Sequence, residues 1–525
     1  MNKSKPMTIG KGPALSKVST FTFIGMTCAL VASIRNIPDV AATGWTMFFY
    51  MIVATILFGL PIALVSGEFA GMYPSAAGGP ELWTTNALGK KWGFVTSWLL
   101  WVQMFPGMVM VASVLAPMLG VGIGQEALGE NSIFILVMIL VVYWAVTLLN
   151  LKFDMAKIGG KWGIWFMLYI PAAMIMILGV AATAKSGIDP KSVLGSFDAS
   201  ALLPTGKSFS TMQYFAPIIF IFTGIEMSSV YIRRLTKPVK QYTAGVFAAL
   251  VIMLVINTLS AFVVANVVPA GKMDLNNVAQ PVVLFCQVLG IPTVIGNIFG
   301  LLVFVGVMVQ LSAWITGPSK TITQSARRGQ YPPKFKFWKT NKLDVSKSVL
   351  ITQATIISIF ALVYLLIPGV NSAFLTLVNA TTIIYCFVYV IMAVGILKLR
   401  KTEPTLARPF RIGKKGNGLV YTVAIILIAV ICISCFYSVY YSSLMSAILT
   451  LVVAFAFLII PLIIFKKRDP KWADQVKELM SEEQENIPQE SNVDLRKAAA
   501  AQAATGGGST AASQTNTKTP PQAGK

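Results

Sequence analysis

The chain has 525 residues, of which 55% are hydrophobic and 12% are charged, and its mean hydropathy is +0.72. A water-soluble protein of this length cannot bury so many apolar side chains, so the composition excludes a soluble globular fold. The net charge of +22 would suit a nucleic-acid partner, but the lysines and arginines lie in short connectors between apolar runs. We therefore predict no nucleic-acid partner.

Twelve apolar runs long enough to cross a bilayer as helices follow one another along the chain. They lie near residues 19–43, 45–66, 94–120, 132–150, 162–183, 213–232, 242–266, 291–318, 348–367, 372–397, 419–438 and 444–465. A shorter apolar piece at 280–290 indicates a surface or re-entrant helix. The sequence predicts an all-α membrane protein with about twelve transmembrane helices, here called spans 1 to 12.

The distribution of positive charge predicts the orientation of these spans. With the N-terminus inside, the connectors and the N-terminal segment on that side carry 27 lysines and arginines, against four on the other side. The positive-inside rule then places both termini in the cytoplasm of a multi-pass plasma-membrane protein. The domain organisation we expect is a cytoplasmic segment at 1–18, a membrane domain at 19–465, and a mostly disordered cytoplasmic tail at 466–525, whose end is rich in small polar residues.

Two spans contain polar interruptions near their middle. In span 1, the sequence SIRNIP at 33–38 combines Arg35 and Asn36 with a proline that cannot continue the helical hydrogen bonding. In span 6, the sequence TGIE at 223–226 places a glycine beside Glu226. A proline kink or a glycine packing contact would explain either feature alone. Broken helices five spans apart are nevertheless typical of an inverted-repeat transporter. The repeats would be about 19–183 and 213–397, with spans 11 and 12, about 419–465, appended.

Other polar residues of the apolar runs have simpler interpretations. Glu68 and Lys320 lie near the ends of their spans, where long side chains reach the interface. Trp98, Trp101 and Gln103 in span 3 can line a cavity, but we favour an interfacial or packing role. The chain contains no histidine, so a pH response must come from carboxylates such as Glu226, from the termini or from the substrate.

The order and spacing of several motifs resemble a known transporter group. The sequence is similar to the amino acid–polyamine–organocation superfamily, and within it to the glutamate:GABA antiporters, over about residues 15–466. The matching stretches are 33–38 with 41–44, 65–70, 78–83 (GGPELW), 89–93, 223–226, 231–238 and 313–320 (AWITGPSK).

This resemblance implies an exchanger whose substrate lies between spans 1, 3, 6, 8 and 10. Family members often exchange an amino acid for its decarboxylation product. The substrate-binding residues that we predict on this chain are Ser33, Ile34, Arg35 and Asn36 in span 1, Thr223, Gly224 and Glu226 in span 6, Gln310 and Trp314 in span 8, and Tyr385 in span 10.

The chain also departs from the family pattern in two positions. The position of Gln310 is typically acidic in glutamate/GABA exchangers, and that of Arg35 is typically tyrosine. Both differences make the site more positive, which disfavours a cationic substrate. Arg35 would either grip a substrate carboxylate or pair permanently with Glu226 or Asp39, and the sequence leaves these alternatives open.

The function that we predict is secondary active transport of an amino acid, as an antiporter that exchanges it for its decarboxylation product or a related amino compound. A proton-coupled symporter on the same fold is the alternative. An enzyme is not expected, because no histidine, acidic metal set or Ser/His or Cys/His arrangement is present. We expect no cofactor and no metal, a small amino acid or amine and membrane lipid as partners, and either a monomer or a dimer.

Overall fold

The structure is a computed structural model that describes residues 18–31, 34–73, 79–153, 165–413 and 416–485. Regular structure in these ranges is helical, apart from two isolated β-bridges that join Val18 to Leu235 and Ser192 to Pro269. The predicted all-α membrane fold is therefore confirmed.

Ten helices in the described ranges are long and apolar enough to cross a membrane. They correspond to span 2 (Gly44–Met72), span 3 (Lys90–Gly122), span 4 (Ser132–Lys152), span 6 (Ser208–Ser229), span 7 (Pro238–Val267), span 8 (Val294–Arg327), span 9 (Lys347–Leu366), span 10 (Val370–Thr402), span 11 (Gly418–Tyr440) and span 12 (Leu444–Lys466).

The two other predicted spans are interrupted or shorter. Span 1 consists of Thr20–Val31 and, after two residues outside the described part, of the short helices Ile34–Asn36 and Ile37–Ala41. Span 5 is described from residue 165 onward, where the π-helical turn Trp165–Tyr169 continues into Ile170–Ser186. Each of the twelve predicted runs thus has a helical counterpart.

Spans 3 and 10 form the centre of the bundle. In the most apolar part of each helix, 94% of the residues are buried in span 3 and 78% in span 10, against 17% in span 12. Span 12 instead exposes apolar side chains such as Val452 and Phe455, which lipid would cover. Polar side chains on spans 3 and 10 therefore face protein or an internal cavity.

Contacts between connectors define one face of the molecule. The Val18 N–H donates to the Arg234 carbonyl at 2.9 Å, and the Asn341 side-chain amide donates to the Leu151 carbonyl at 2.9 Å. We call this side the basic face. Its described connectors are 18–19, 79–89, 152–153, 235–237, 328–346, 403–413 and 416–417.

The remaining connectors meet on the opposite face. Here the Val193 N–H donates to the Val268 carbonyl at 2.8 Å, and the Leu275 N–H donates to the Asn371 side-chain oxygen at 2.9 Å. The short apolar helix Gln280–Leu289 follows the connector that contains Val268 and Leu275. The sequence predicts a surface or re-entrant helix at this place.

Glu68 does not reach the interface, so its interpretation from sequence is wrong. The side chain is fully buried and receives two hydrogen bonds of 2.6 Å from Arg400, while Arg408 lies 3.3 Å away. The Ile412 N–H also donates to Glu68 at 2.8 Å. A bidentate arginine satisfies the buried carboxylate, and the cluster joins span 2 to span 10 and to the connector at 403–413. Lys320, by contrast, is exposed.

A second ion pair on the basic face joins the helix Gly79–Leu88 to the end of span 8. The Arg328 guanidinium donates a hydrogen bond to the carboxylate of Glu81, which is largely buried. Because Gly79–Leu88 follows span 2, this pair links two different parts of the bundle.

The first part of the tail contains a helix that the sequence did not predict. Residues Trp472–Glu485 form a helix whose Val476 is fully buried. The helix packs beside Gly329, where an added Cβ would lie 2.4 Å from the Ala473 nitrogen. An apolar side of this charged segment therefore packs under span 8. Residues 486–525 lie outside the described part.

Candidate functional site

Span 6 is broken where the sequence predicts it. The α-helix Phe215–Phe220 gives way to a turn at 221–224, and a 3-10 helix, Ile225–Arg234, follows. Gly224 has a φ of +88°, a backbone conformation that side chains with a Cβ rarely adopt. Its N–H, freed by the break, donates to the Tyr389 hydroxyl of span 10 at 2.8 Å.

Glu226 continues this connection between spans 6 and 10. Its carboxylate is fully buried and accepts hydrogen bonds from the hydroxyls of Tyr385 at 2.8 Å and Tyr389 at 2.9 Å. The Tyr389 hydroxyl thus accepts from the broken backbone and donates to Glu226. The carboxylate holds the break in a fixed position against span 10.

The second half of span 1 is described from Ile34, where a single 3-10 turn precedes an α-helix that begins at Ile37 with a proline in its first turn. Arg35 and Asn36, in the 3-10 turn, are buried. Asp39 lies one turn beyond Arg35, is 1% exposed, and interacts electrostatically with the Arg35 guanidinium. Within the described residues, neither carboxylate oxygen of Asp39 accepts a hydrogen bond. Of the two structural partners considered for Arg35, Asp39 is the one that interacts electrostatically with it, whereas Glu226 is hydrogen-bonded to Tyr385 and Tyr389.

A cavity lies between these broken helices and spans 3, 8 and 10. It contains about 550 Å³ of space between protein atoms, including the part open to the exterior. Six of the residues predicted from the sequence line it: Arg35, Asn36, Thr223, Gln310, Trp314 and Tyr385. Gln310 and Trp314 lie one turn apart on span 8 and both face the cavity, as their spacing predicts.

The other four predicted residues are not among the lining residues that the structure describes. Ser33 lies outside the described residues. Ile34, Gly224 and Glu226 are in the described part but do not line the cavity. Gly224 and Glu226 instead shape the site through the Tyr385 and Tyr389 hydroxyls.

Span 3 contributes cavity-lining residues that the sequence did not reveal. The span 3 residues that line the cavity are Gln103, Met104, Gly107, Met108, Met110 and Val111. Two further lining residues are Phe220 in span 6 and Thr381 in span 10. Gln103, for which we favoured a packing role, is a polar residue in the middle of a buried apolar helix, and such residues often mark a pathway. That was the available signal. The methionines carried none, because apolar side chains that pack and those that line a cavity look alike in sequence.

Among the described residues, the lining contains one charged residue, Arg35, and no carboxylate. Amide and hydroxyl groups come from Asn36, Gln103, Gln310 and Thr381, and the Thr381 hydroxyl has no hydrogen-bond partner among the described residues. Such a cavity can pair with a carboxylate while the methionines and Trp314 contact an aliphatic chain. No group of three or more potential metal ligands occurs in the part of the chain that the structure covers.

Comparison with known proteins decides the family. A family model described as "Amino acid permease" matches residues 18–443. The chain belongs to this family. The matched region of the permease includes both broken helices and every residue that lines the cavity.

The permease is similar to several transporters. It is 26% identical over 408 residues to an uncharacterized transporter of Legionella pneumophila, covering 77% of this chain and 85% of the relative. It is 25% identical over 413 residues to a glutamate/gamma-aminobutyrate antiporter of Lactococcus lactis, covering 77% and 80%. A probable agmatine/putrescine antiporter of the same species is 25% identical over 425 residues, covering 79% and 86%. The expectation of a transporter rather than an enzyme is confirmed.

Proposed function

We propose that this permease is an antiporter that exchanges an amino acid for its decarboxylation product or a related amino compound. The observation that carries the proposal is the cavity between the two broken helices, which is lined by Arg35 and by neutral polar groups. Interrupted helices that face each other across a central cavity are typical of alternating-access transporters. Two similar proteins bear antiporter names.

The proposed substrate carries a carboxylate that pairs with Arg35. The other proposed contacts are Ser33, Asn36, Thr223, Gln310, Trp314 and Tyr385, while Gly224 and Glu226 act by holding the break of span 6, and Ile34, which does not line the cavity, is no longer proposed as a contact. A diamine is disfavoured, because the lining offers no carboxylate to neutralise a second positive charge. Among the similar proteins, this chemistry agrees better with a glutamate/gamma-aminobutyrate exchanger than with an agmatine/putrescine exchanger.

The proposed location is the plasma membrane, with the basic face toward the cytoplasm. The asymmetry of 27 to four lysines and arginines supports this orientation through the positive-inside rule. Both termini would then be cytoplasmic.

Exchange in liposomes tests the proposal. Purified protein is reconstituted, and uptake of labelled glutamate is measured with unlabelled glutamate, with gamma-aminobutyrate or with no amino compound inside. A parallel competition screen tests other amino acids and biogenic amines. A compound that competes better than unlabelled glutamate then replaces glutamate as the labelled substrate. An antiporter requires internal counter-substrate, so equal uptake into empty and loaded vesicles would contradict exchange.

The same preparation distinguishes the symporter alternative. The buried carboxylates Asp39 and Glu226 beside the cavity are groups that could carry a proton on this fold. Uptake into empty vesicles that depends on an imposed pH gradient would favour symport over exchange.

A further inference from the structure

The connector between spans 8 and 9 presents five exposed lysines on the basic face. They are Lys334, Lys336, Lys339, Lys342 and Lys347. The one acidic residue of the connector, Asp344, lies 3.7 Å from Arg327 at the end of span 8. The connector therefore carries a strong positive charge that its own acidic residue does not offset.

Hydrogen bonds hold this connector in a defined conformation. The Trp338 ring N–H donates to the Pro333 carbonyl at 3.2 Å, and Trp338 is buried. Arg327 donates to the Trp338 carbonyl at 3.1 Å and to the Thr340 hydroxyl at 2.8 Å. Asn341 fixes the connector to the end of span 4. We call residues 333–347 the basic platform.

The basic platform lies beside the membrane, since span 8 ends at Arg327 and span 9 begins at Lys347. Phe335 is 48% exposed, and the Lys334 ammonium lies 5.6 Å from its ring centroid. An exposed aromatic ring next to lysines is a typical arrangement for the interface between headgroups and hydrocarbon.

We propose that the basic platform binds the phosphate groups of anionic phospholipids in the leaflet that borders the basic face. Charge complementarity supports this occupant, because several lysines within one short connector attract an anionic leaflet. The exposed Phe335 would enter the interface while the surrounding lysines contact phosphates. This inference concerns lipid binding alone and does not depend on which substrate is transported.

One other occupant is available within the chain. The helix Trp472–Glu485 packs near the basic platform and carries five acidic residues, among which are the glutamates Glu478 and Glu482. Its described anchoring contacts are apolar, through the buried Val476 and through Ala473 against Gly329. Both glutamates are exposed to solvent, and their side chains form no ion pair with the platform lysines in the described part of the chain.

The experiment measures lipid retention directly. The full-length protein and the variant K334Q/K336Q/K342Q are incubated with phosphatidylglycerol or phosphatidylcholine, and bound lipid is counted by native mass spectrometry. The matched control is K185Q/K191Q/K272Q, which removes the same charge from exposed lysines of the opposite face. Melting temperature is recorded for each variant, and a fourth variant, E478Q/E482Q, tests the acidic helix.

The proposal predicts that phosphatidylglycerol binding weakens at least about tenfold in the platform variant, since each lysine near an anionic surface contributes appreciably. The control and the phosphatidylcholine measurements should remain unchanged. Equal phosphatidylglycerol binding by wild type and the platform variant would overturn the proposal. Phosphatidylglycerol binding that is no stronger than phosphatidylcholine binding in the wild type, and that rises about tenfold only in E478Q/E482Q, would also overturn it, because the acidic helix would then occupy the platform in the intact protein.

Discussion

Variants of Arg35 and Asp39 allow the role of Arg35 in substrate binding to be separated from its effect on folding stability. Changing Arg35 alone leaves the carboxylate of Asp39 buried beside no compensating charge, and both oxygens already lack hydrogen bonds among the described residues. Removing one partner of a buried pair costs about 3–5 kcal/mol, whereas replacing both by neutral groups of similar size is often close to neutral. A single variant at Arg35 would therefore lose binding for either of two reasons.

Three variants resolve this ambiguity. Because neither oxygen of Asp39 accepts a hydrogen bond from Arg35, we expect Arg35→Met and Asp39→Asn each to lower the free energy of unfolding by about 1–3 kcal/mol, less than the cost of breaking a hydrogen-bonded pair, and R35M/D39N to lie within about 1 kcal/mol of wild type. Stability is compared by thermal unfolding of the detergent-solubilised protein. Substrate binding is measured by displacement of the labelled amino acid.

If Arg35 holds the substrate carboxylate, the double variant is stable but binds at least about tenfold more weakly, since a charge-assisted bidentate pair contributes more than 1.4 kcal/mol. Wild-type affinity in a stable R35M/D39N protein would refute the role of Arg35 in binding. A double variant as unstable as Arg35→Met would refute the pairing with Asp39. The corresponding R35M/E226Q variant should not restore stability, because Glu226 is held by two tyrosines of span 10.

Three other predictions concern groups on the two faces. Glu68→Gln should lower the free energy of unfolding by about 3–5 kcal/mol, because Arg400 is left buried with its charge uncompensated. A decrease of less than about 1 kcal/mol in thermal unfolding would contradict this. Glu81→Gln removes the ion pair with Arg328, whose side chain is half exposed, so the free energy of unfolding should change by less than about 1 kcal/mol; a loss above about 3 kcal/mol in thermal unfolding would contradict this. Burial, with a smaller contribution from nearby Glu130, raises the pKa of Asp274 on the opposite face from 3.8 to about 6. The folded protein then binds this proton more tightly than the unfolded chain, so the contribution of Asp274 to stability is fully present below about pH 4 and is lost as the pH rises through about 6. Compared with wild type, Asp274→Asn should lack this loss of about 1–2 kcal/mol, after solvent screening, in melts from pH 4 to 8, and a pH profile identical to that of wild type would contradict it.

The sequence was sufficient for the features that local chemistry determines. Hydropathy located the spans, since a helix that crosses lipid must be apolar over its whole length. The breaks were visible at the SIRNIP and TGIE stretches, because proline and glycine act on their own backbone. These two stretches contain three residues of the cavity lining, Arg35, Asn36 and Thr223, and the family resemblance added Gln310, Trp314 and Tyr385.

The features that the sequence did not reveal depend on tertiary contacts. Glu68 meets Arg400, which is more than three hundred residues away in the chain. Gln103 and the methionines of span 3 line the cavity because of how that helix is rotated in the bundle, and its uniformly apolar sequence does not specify the rotation. The helix at Trp472–Glu485 was missed because its few apolar residues gain stability only by packing under span 8.

The measurement that most directly tests the proposed mechanism is an experimental density map of the protein with the best competitor from the transport screen bound. The proposed mechanism predicts ligand density between the breaks of spans 1 and 6, with a carboxylate within hydrogen-bonding distance of Arg35. Ligand density at another location, or continuous α-helix through residues 32–36 and 221–225, would contradict it.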